Sequence, residues 1–223
     1  MLTLRVLATA ASAALLLAIS PTAQAADVVG YRGLRLGMTL VAAGKVPGTV
    51  PGEATVIHKR PALLQELRWR PGSTTSDSVQ EALLSFFNGE LSRIVVTYDR
   101  YRVEGLTSQD MIDGISQIYG SATTPKADIP LHSIYGESAA VIARWQEADS
   151  SWNLVRTGDG ASFALVGLSM RREALSQAAV TEADRLDAAE APQREAARQA
   201  KRDADESSAR DKARTNNKSG FRP

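Results

Sequence analysis

The chain has 223 residues, 26 Lys and Arg against 25 Asp and Glu, a formal net charge of +1, and no cysteine. The missing cysteine excludes disulfides, a thiol nucleophile and thiolate metal ligands. The balanced charge lacks the basic footprint of a nucleic-acid-binding protein, so we predict no nucleic-acid partner.

Residues 1–25 have the features of a secretory signal peptide. Arg5 supplies the positive end, and the apolar run from Val6 to Ile19 is shorter than the ~20 residues of a membrane-spanning helix. Residues 23–25 (Ala-Gln-Ala) form a small-x-small cleavage site, so we expect cleavage after Ala25 and no transmembrane segment in the mature chain; an uncleaved anchor is the alternative. Because the peptide ends without a lipid-accepting cysteine, the pattern predicts the periplasm of a Gram-negative bacterium, or secretion.

The rest of the chain divides into two regions of different composition. Residues 26–170 contain all three Trp and all five Tyr, with 13 Lys and Arg against 15 Asp and Glu. Residues 171–223 contain 12 Lys and Arg against 10 Asp and Glu, with Phe221 as their one aromatic residue. The first region is long enough to bury a core and is predicted to be one α+β domain, and the second is predicted to be a charged tail.

Residues 31–46, YRGLRLGMTLVAAGKV, open the domain. Leu34 and Leu36 are expected to end a short strand, Gly37 to turn the chain, and Thr39 to cap a brief helix through Lys45. The stretch has neither a G-x-G-x-x-G nor a G-K-[ST] pattern, so nothing in it predicts phosphate binding.

A basic and aromatic alternation follows. Proline and glycine punctuate residues 47–61, which we expect to be a loop, and residues 63–70, LLQELRWR, read as a strand. Within this strand Arg68, Trp69 and Arg70 are candidate partner-binding residues, although a half-exposed structural strand has the same alternation.

Residues 85–100, SFFNGELSRIVVTYDR, predict a β-hairpin. Asn88-Gly89 between two apolar runs is a strong two-residue turn motif, because both residues tolerate positive φ. Simple alternation pairs Ser85 with Ser92 and Leu83 with Ile94. It places Arg93 on the opposite face from the apolar side chains, as in a sheet with one covered side.

The loop after this hairpin is a second candidate surface, and a helix follows it. Arg100, Tyr101 and Arg102 combine charge with an aromatic ring, and we list them as partner-binding candidates. In residues 105–120, Thr107 and Asp110 predict a capping box at the start of the helix. Met111, Ile115 and Ile118 share one helical face, and Gly120 marks its end.

Three further strands are predicted over residues 139–146, 151–157 and 161–170, joined by short loops. The helix starts at Thr39 and Thr107 are 68 residues apart, and the Leu-Arg-Trp of residues 67–69 is echoed by the Ala-Arg-Trp of residues 143–145. The domain is therefore predicted to have a largely antiparallel sheet with one or two helices on one face. The spacing has two interpretations, which are two half-repeats that share the sheet, or coincidence.

The tail is rich in Ala, Glu, Arg and Lys. We predict a helix over residues 171–190, an interruption at Pro192, and disorder beyond Asn216. A solvated tail and a helix that docks on a partner or an anionic surface are the two interpretations.

Chemically active residues are sparse. His58 and His132 are the only histidines, and neither has a second metal ligand at helical spacing. Glu147 with Asp149 and Asp110 with Asp113 are better explained by turn solvation and helix polarity than by acid–base catalysis. We predict no catalytic residue, metal ligand or cofactor; the alternative is a small hydrolase that uses His132 and a carboxylate.

The Gly37-Met38-Thr39 helix start resembles that of small bacterial envelope proteins such as the outer-membrane assembly component BamE. The pattern F-x-N-G-x-L-x-x-I-x-V-x-Y before a capped helix is similar to uncharacterised proteobacterial secreted proteins of this kind, and to the related α+β fold of the β-lactamase inhibitor protein. The resemblance spans residues 31–170 and implies a binding scaffold with no catalytic residues. Ala42 stands where an acidic residue is usual.

Function is therefore predicted as non-catalytic: a periplasmic module whose sheet surface and tail bind another envelope protein. A small hydrolase and a small-ligand-binding protein are the alternatives. The sequence leaves the oligomeric state undetermined.

Overall fold

The computed structural model describes residues 30–72, 77–131, 138–157 and 162–222, so the predicted signal peptide lies outside the described residues. The protein has an α+β fold with a two-stranded sheet, an eight-stranded antiparallel sheet and three α-helices in the described residues. The small sheet pairs β1 (Gly30–Tyr31) with β2 (Leu34–Arg35). The helices are α1 (Leu40–Ala43), α2 (Ser108–Tyr119) and α3 (Met170–Gly220). The strands of the large sheet are β3 (Thr55–His58), β4 (Leu64–Trp69), β5 (Val79–Phe87), β6 (Glu90–Tyr98), β7 (Asp128–Pro130), β8 (Ser138–Gln146), β9 (Ser150–Thr157) and β10 (Ser162–Ser169).

The large sheet consists of two four-stranded meanders. Its strand order is β3-β4-β5-β6-β10-β9-β8-β7, so the last strand of each meander lies at the centre and pairs with the other. A helix precedes each meander, α1 before β3 and α2 before β7. The order of elements therefore agrees with the two half-repeats that the sequence spacing suggested.

The repeated tryptophans occupy equivalent places in these halves. Trp69 lies in the second strand of the first meander and Trp145 in the second strand of the other. Each indole donates a hydrogen bond to a carbonyl just after the preceding helix: Trp69 Nε1 to Pro47 O at 2.7 Å, and Trp145 Nε1 to Gly120 O at 3.0 Å. The indoles thus fix the helix ends to the sheet.

One face of the sheet carries the main core. Helices α1 and α2 and the β1–β2 hairpin cover it, and Trp145 and Trp152 are its largest buried side chains. Gly167 of β10 leaves room for the Trp152 ring, because an added Cβ would lie 2.5 Å from the ring atom Cζ3.

The opposite face is covered too, which corrects the expectation of a sheet with one covered side; the expected helices on one face are α1 and α2. Helix α3 contacts β5, β6 and β10. It buries a stripe of small side chains against them at helical spacing, Ser176, Ala179, Val180 and Ala183. Arg93, expected on a solvent face, is on this covered face and is 1% exposed.

The β5–β6 hairpin confirms the predicted turn but corrects the register. Asn88 and Gly89 have φ of 49° and 81°, and Phe87 pairs with Glu90. A bulge between Ser85 and Phe86 then shifts the pairing, so Ser85 lies opposite Arg93, and Leu84 rather than Leu83 lies opposite Ile94.

The two helix starts behave as the sequence predicted. Thr39 Oγ1 accepts a hydrogen bond from Ala42 N at 3.2 Å, although α1 ends at Ala43 rather than Lys45. Thr107 and Asp110 form the predicted capping box. In α2 the buried residues are Met111, Ile115 and Tyr119, and Ile118 is 58% exposed instead of inward.

The remaining strands follow the prediction closely, but the edge strands β3 and β7 were not predicted. β4, β8, β9 and β10 lie within a residue or two of their expected positions. Residues 47–61 are not all loop, because they contain a turn of 3₁₀ helix, Pro51–Glu53, and the edge strand β3.

The tail is helical for longer than predicted. Helix α3 runs through Pro192 without the expected interruption and continues past Asn216. Proline removes the donor to the carbonyl four residues earlier. The Arg194 side chain connects the turns on either side of Pro192. Its Nη2 donates to Asp187 O at 2.7 Å, and its Nη1 contacts Asp187 Oδ1 at 3.0 Å. From residue 191 to 222 every residue is exposed, so this part of α3 does not pack on the sheet.

Within the described part of the chain, none of the helices combines the length and the apolar character that crossing a membrane requires.

Candidate functional site at the β6–α2 corner

Arg68, Trp69 and Arg70 do not form one surface. Trp69 is 4% exposed and belongs to the core. Arg68 is on the other face of the sheet, where Arg68 Nη1 lies 3.3 Å from Glu81 Oε1, and Arg70 Nε lies 3.4 Å from Glu81 Oε2. The alternation therefore divides these side chains between the core and a surface ion-pair cluster.

Arg100, Tyr101 and Arg102 do form an exposed loop, between β6 and α2. Asp99 Oδ1 accepts hydrogen bonds from Tyr101 N at 2.9 Å and from Arg102 N at 3.2 Å, which orders the loop. Tyr101 is 73% exposed, and the Arg100 guanidinium carbon lies 5.1 Å from the centre of its ring. This loop presents a stacked cation and aromatic ring to solvent.

A groove lies beside this loop, between α2, the β1–β2 hairpin and the end of β6. We call it the tyrosine groove; its volume is about 390 Å³. Its lining is mainly aromatic and aliphatic, with Gly114 on the α2 side. The lining residues are Gly30, Tyr31, Arg32, Ser78, Tyr98, Leu106, Asp110, Met111, Gly114, Ile115, Ile118 and Tyr119.

Three phenol rings from distant segments meet in the tyrosine groove. Of the three hydroxyls, that of Tyr119 has a hydrogen-bond partner among the described residues: it donates to Gly30 O at 2.9 Å. Burial raises the pKa of Tyr31 to about 12, against a partly compensating effect of Arg32. Burial, together with the neighbouring Tyr31 and Tyr119, also raises the pKa of Tyr98. Both phenols are therefore protonated donors at neutral pH.

An ion pair borders the groove. Arg32 Nη1 lies 2.6 Å from Asp77 Oδ2, and Nη2 lies 3.1 Å from Oδ1. The guanidinium carbon also lies 5.5 Å from the Tyr31 ring centre and 5.8 Å from that of Trp69. The pair holds Tyr31 in place and leaves little net charge on this rim.

A second, smaller cavity adjoins the groove, and Leu106 lines both. Arg100, Tyr101 and Arg156 lie around it. The Arg156 guanidinium stacks 4.6 Å from the centre of the Phe163 ring, and Arg156 Nη2 donates to Ser108 Oγ at 3.2 Å. The two cavities and the loop make one continuous corner of the molecule, hereafter the β6–α2 corner.

Large apolar side chains are exposed at this corner. Tyr101 is 73% exposed, Leu106 43% and Ile118 58%. The sequence predicted binding through the sheet surface and the tail, but helices contact both faces of the sheet, and the exposed aromatic residue of the corner is on a loop. Concave surfaces along the distal end of α3 are bounded by a single helix and enclose nothing.

No arrangement of the described residues supports a histidine as a catalytic base or metal ligand. His58 ends β3, and its Nε2 is buried without a hydrogen-bond partner. His132 lies outside the described residues. The described part of the chain contains no group of three His, Asp or Glu side chains that could hold a metal ion.

One carboxylate of each predicted pair, Asp149 and Asp110, has a structural role. Asp149 Oδ2 accepts a hydrogen bond from Ser169 Oγ at 3.2 Å, and Oδ1 accepts one from Arg171 N at 3.3 Å. The β8–β9 turn therefore caps the start of α3. Asp110 belongs to the α2 capping box.

Sequence reasoning did not single out the tyrosines of the groove. Tyr31, Tyr98 and Tyr119 come from β1, β6 and α2, and only the tertiary fold brings them together. A sequence pattern can place Tyr98 in a strand, but it cannot show that a groove lies above its ring.

Comparison of the protein with family models, curated proteins and solved structures gave no match.

Proposed function

We propose that the protein is a non-catalytic binding module of the bacterial periplasm that engages another envelope protein through the β6–α2 corner. The observation that carries this proposal is the grouping of Tyr101, Leu106 and Ile118, exposed large apolar side chains, around two adjoining cavities. Exposed apolar groups beside concave surfaces mark interaction sites. The predicted leader and the cysteine-free composition support the location.

The chemistry of the corner favours a partner with apolar and acidic groups. Tyr101 offers a large exposed ring, and Arg100 stacks on it, a residue pair that is common in binding hot spots. Arg156 adds a second stacked guanidinium in the adjoining cavity. Since Asp99 orders the loop backbone, the backbone of the loop loses little freedom on binding.

Small-ligand binding is the second candidate, favoured by the aromatic lining of the tyrosine groove and by the hydroxyls of Tyr31 and Tyr98, which have no hydrogen-bond partner among the described residues. The hydrolase hypothesis gains nothing from the described residues, since His58 Nε2 has no partner.

Photo-crosslinking in cells tests the protein-binding proposal. A benzophenone amino acid at position 101 or 118 is expected to give a discrete protein adduct in the envelope. The matched control is position 41, because Val41 is 72% exposed and lines neither cavity of the corner. Equal adducts from position 41, or none from positions 101 and 118, would refute the proposal.

A further inference from the structure

We propose that the tyrosine groove binds a small, neutral aromatic molecule that carries a carbonyl-type hydrogen-bond acceptor. This inference goes beyond binding of a protein partner, because it depends on the interior of the groove and not on its exposed rim.

The size and walls of the groove suit a small aromatic ligand. Its volume of about 390 Å³ falls within the ~300–1,000 Å³ range of small-molecule sites, at the lower end. The aromatic wall is rigid, because Tyr119 stacks on Trp152 with ring centres 5.2 Å apart and Tyr31 meets the Trp69 ring edge-on at 6.4 Å. A ring between these phenols and the aliphatic side of α2 would be buried on two sides.

The polar groups inside the groove call for an acceptor. Tyr98 is only 8% exposed, yet its hydroxyl has no partner in the described chain, and the same is true of Tyr31. Two side-chain polar atoms of the described chain are fully enclosed and have no hydrogen-bond partner, His58 Nε2 and Ser85 Oγ. The two phenol hydroxyls are not among them, so they reach the open volume of the groove.

Protonation makes both phenols available as hydrogen-bond donors. Burial raises the pKa of both phenols, so each presents an O–H donor across the physiological pH range. Each hydroxyl faces the open volume of the groove, where a ligand oxygen can accept its hydrogen bond. A carbonyl can accept from two phenols at once, since it has two lone pairs.

Charge favours a neutral ligand. Arg32 on the rim is neutralised by Asp77, and Asp110 accepts hydrogen bonds from Thr107 N at 2.8 Å and from Thr107 Oγ1 at 2.6 Å. Both lining charges are therefore already engaged within the protein. A charged ligand would lose its hydration without gaining a free counter-charge.

Two compounds of nearly equal shape test the proposal on the mature chain. Acetophenone carries the acceptor, and ethylbenzene replaces the carbonyl by a methylene group. In ¹H–¹⁵N NMR titrations we expect the α2 amides, including that of Gly114, to shift saturably. We expect acetophenone to bind about tenfold more tightly, as one well-placed hydrogen bond provides.

Three variants distinguish binding in the tyrosine groove from nonspecific binding elsewhere on the protein. Tyr98→Phe and Tyr31→Phe keep the rings but remove the donors, so the preference for acetophenone should fall while ethylbenzene binding persists. An added Cβ at Gly114 meets nothing within 4 Å, so Gly114→Trp can fill the groove without a core clash and should abolish binding of both compounds. Gly114→Ala is the matched control and should retain binding.

Any of four results would overturn the proposal. The wild type could bind neither compound, or bind both with equal affinity. The preference for acetophenone could survive in both phenylalanine variants, or Gly114→Trp could still bind saturably. The crosslinking comparison of positions 101 and 118 with position 41 uses neither these compounds nor these variants, so the two failures are distinguishable.

Discussion

Arg93 in β6 and Glu173 in the first turn of α3 form a buried ion pair that links the centre of the sheet to the C-terminal helix. Arg93 Nε lies 3.3 Å from Glu173 Oε2, and Nη2 contacts Oε1. Arg93 Nη1 donates to Pro130 O at 2.7 Å, so the guanidinium is satisfied on several sides. The exposed fractions of the two side chains are 1% and 12%. The pair defines where α3 docks.

Loss of Glu173 should strongly destabilise the domain. Glu173→Ala leaves the Arg93 charge buried without compensation, and such changes cost about 3–5 kcal/mol. Urea unfolding followed by circular dichroism measures the free energy of unfolding. Glu182→Ala is the control, since its pair with Arg185 is on the exposed side of the same helix and its loss should be too small to resolve. Similar losses in the two variants would show that Arg93 and Glu173 are not a buried pair.

A methyl group at position 167 should disturb the core. A Cβ there would lie 2.5 Å from the Trp152 ring, and overpacking of this kind costs about 1–3 kcal/mol. Gly114→Ala is the matched substitution in open space, and there the better helix propensity of alanine should raise stability by ~0.5–1 kcal/mol. Thermal unfolding of both variants gives the comparison, and an unchanged melting temperature for Gly167→Ala contradicts the packing described for Trp152.

Acid should weaken the border of the tyrosine groove. Hydrogen bonding from Arg32 holds the pKa of Asp77 below its usual value, against the opposing effect of burial, and Val79 N–H assists. A carboxyl whose pKa is lower in the folded state stabilises the fold above its unfolded pKa of about 4. That stabilisation is lost as the pH falls through the folded pKa.

The variant Asp77→Asn reports this contribution. Its unfolding free energy should be lower than that of the wild type at pH 7, and the gap should narrow towards pH 3. A gap that is equal at both pH values would mean that the Arg32–Asp77 contact does not titrate as described.

The distal part of α3 should be dispensable for the sheet domain. Residues 191–222 are all exposed, whereas the buried stripe ends at Ala183 and Glu190 still pairs with Arg60. Truncation after Glu190 should lower the helical signal at 222 nm and leave the main unfolding transition unchanged. Truncation after Arg171 is the contrasting variant and should destabilise the domain, because it removes Glu173 and the buried stripe. Loss of the main transition in the first truncation would contradict this division.

Local patterns predicted the elements of the fold but not their long-range contacts. The Asn88-Gly89 turn and the Thr107 capping box were predicted correctly because neighbouring residues determine them. The β5–β6 register was predicted wrongly, because no residue type marks the bulge at Ser85, and strict alternation assigned the wrong core residues in β5.

The second covered face was missed for a different reason. Arg93 in a strand reads as a solvent-facing residue unless its partner is known, and that partner is 80 residues further along the chain. The stripe from Ser176 to Ala183 is made of small side chains, which gave only a weak apolar pattern in the tail.

The candidate site was predicted in part. Arg100, Tyr101 and Arg102 lie at the β6–α2 corner, while the ion pairs of Arg68 and Arg70 with Glu81 place those residues elsewhere. The tyrosine groove could not be predicted, since three chain segments build it. The resemblance to envelope proteins such as BamE remains a prediction.

Crosslinking at position 118 in the two Gly114 variants tests most directly whether the β6–α2 corner is the binding surface. Gly114→Ala should preserve the adduct formed in the envelope, because the added methyl group meets open space. Gly114→Trp should reduce the same adduct to the background level at equal expression and thermal stability. An undiminished adduct in Gly114→Trp would contradict the assignment of function to this corner.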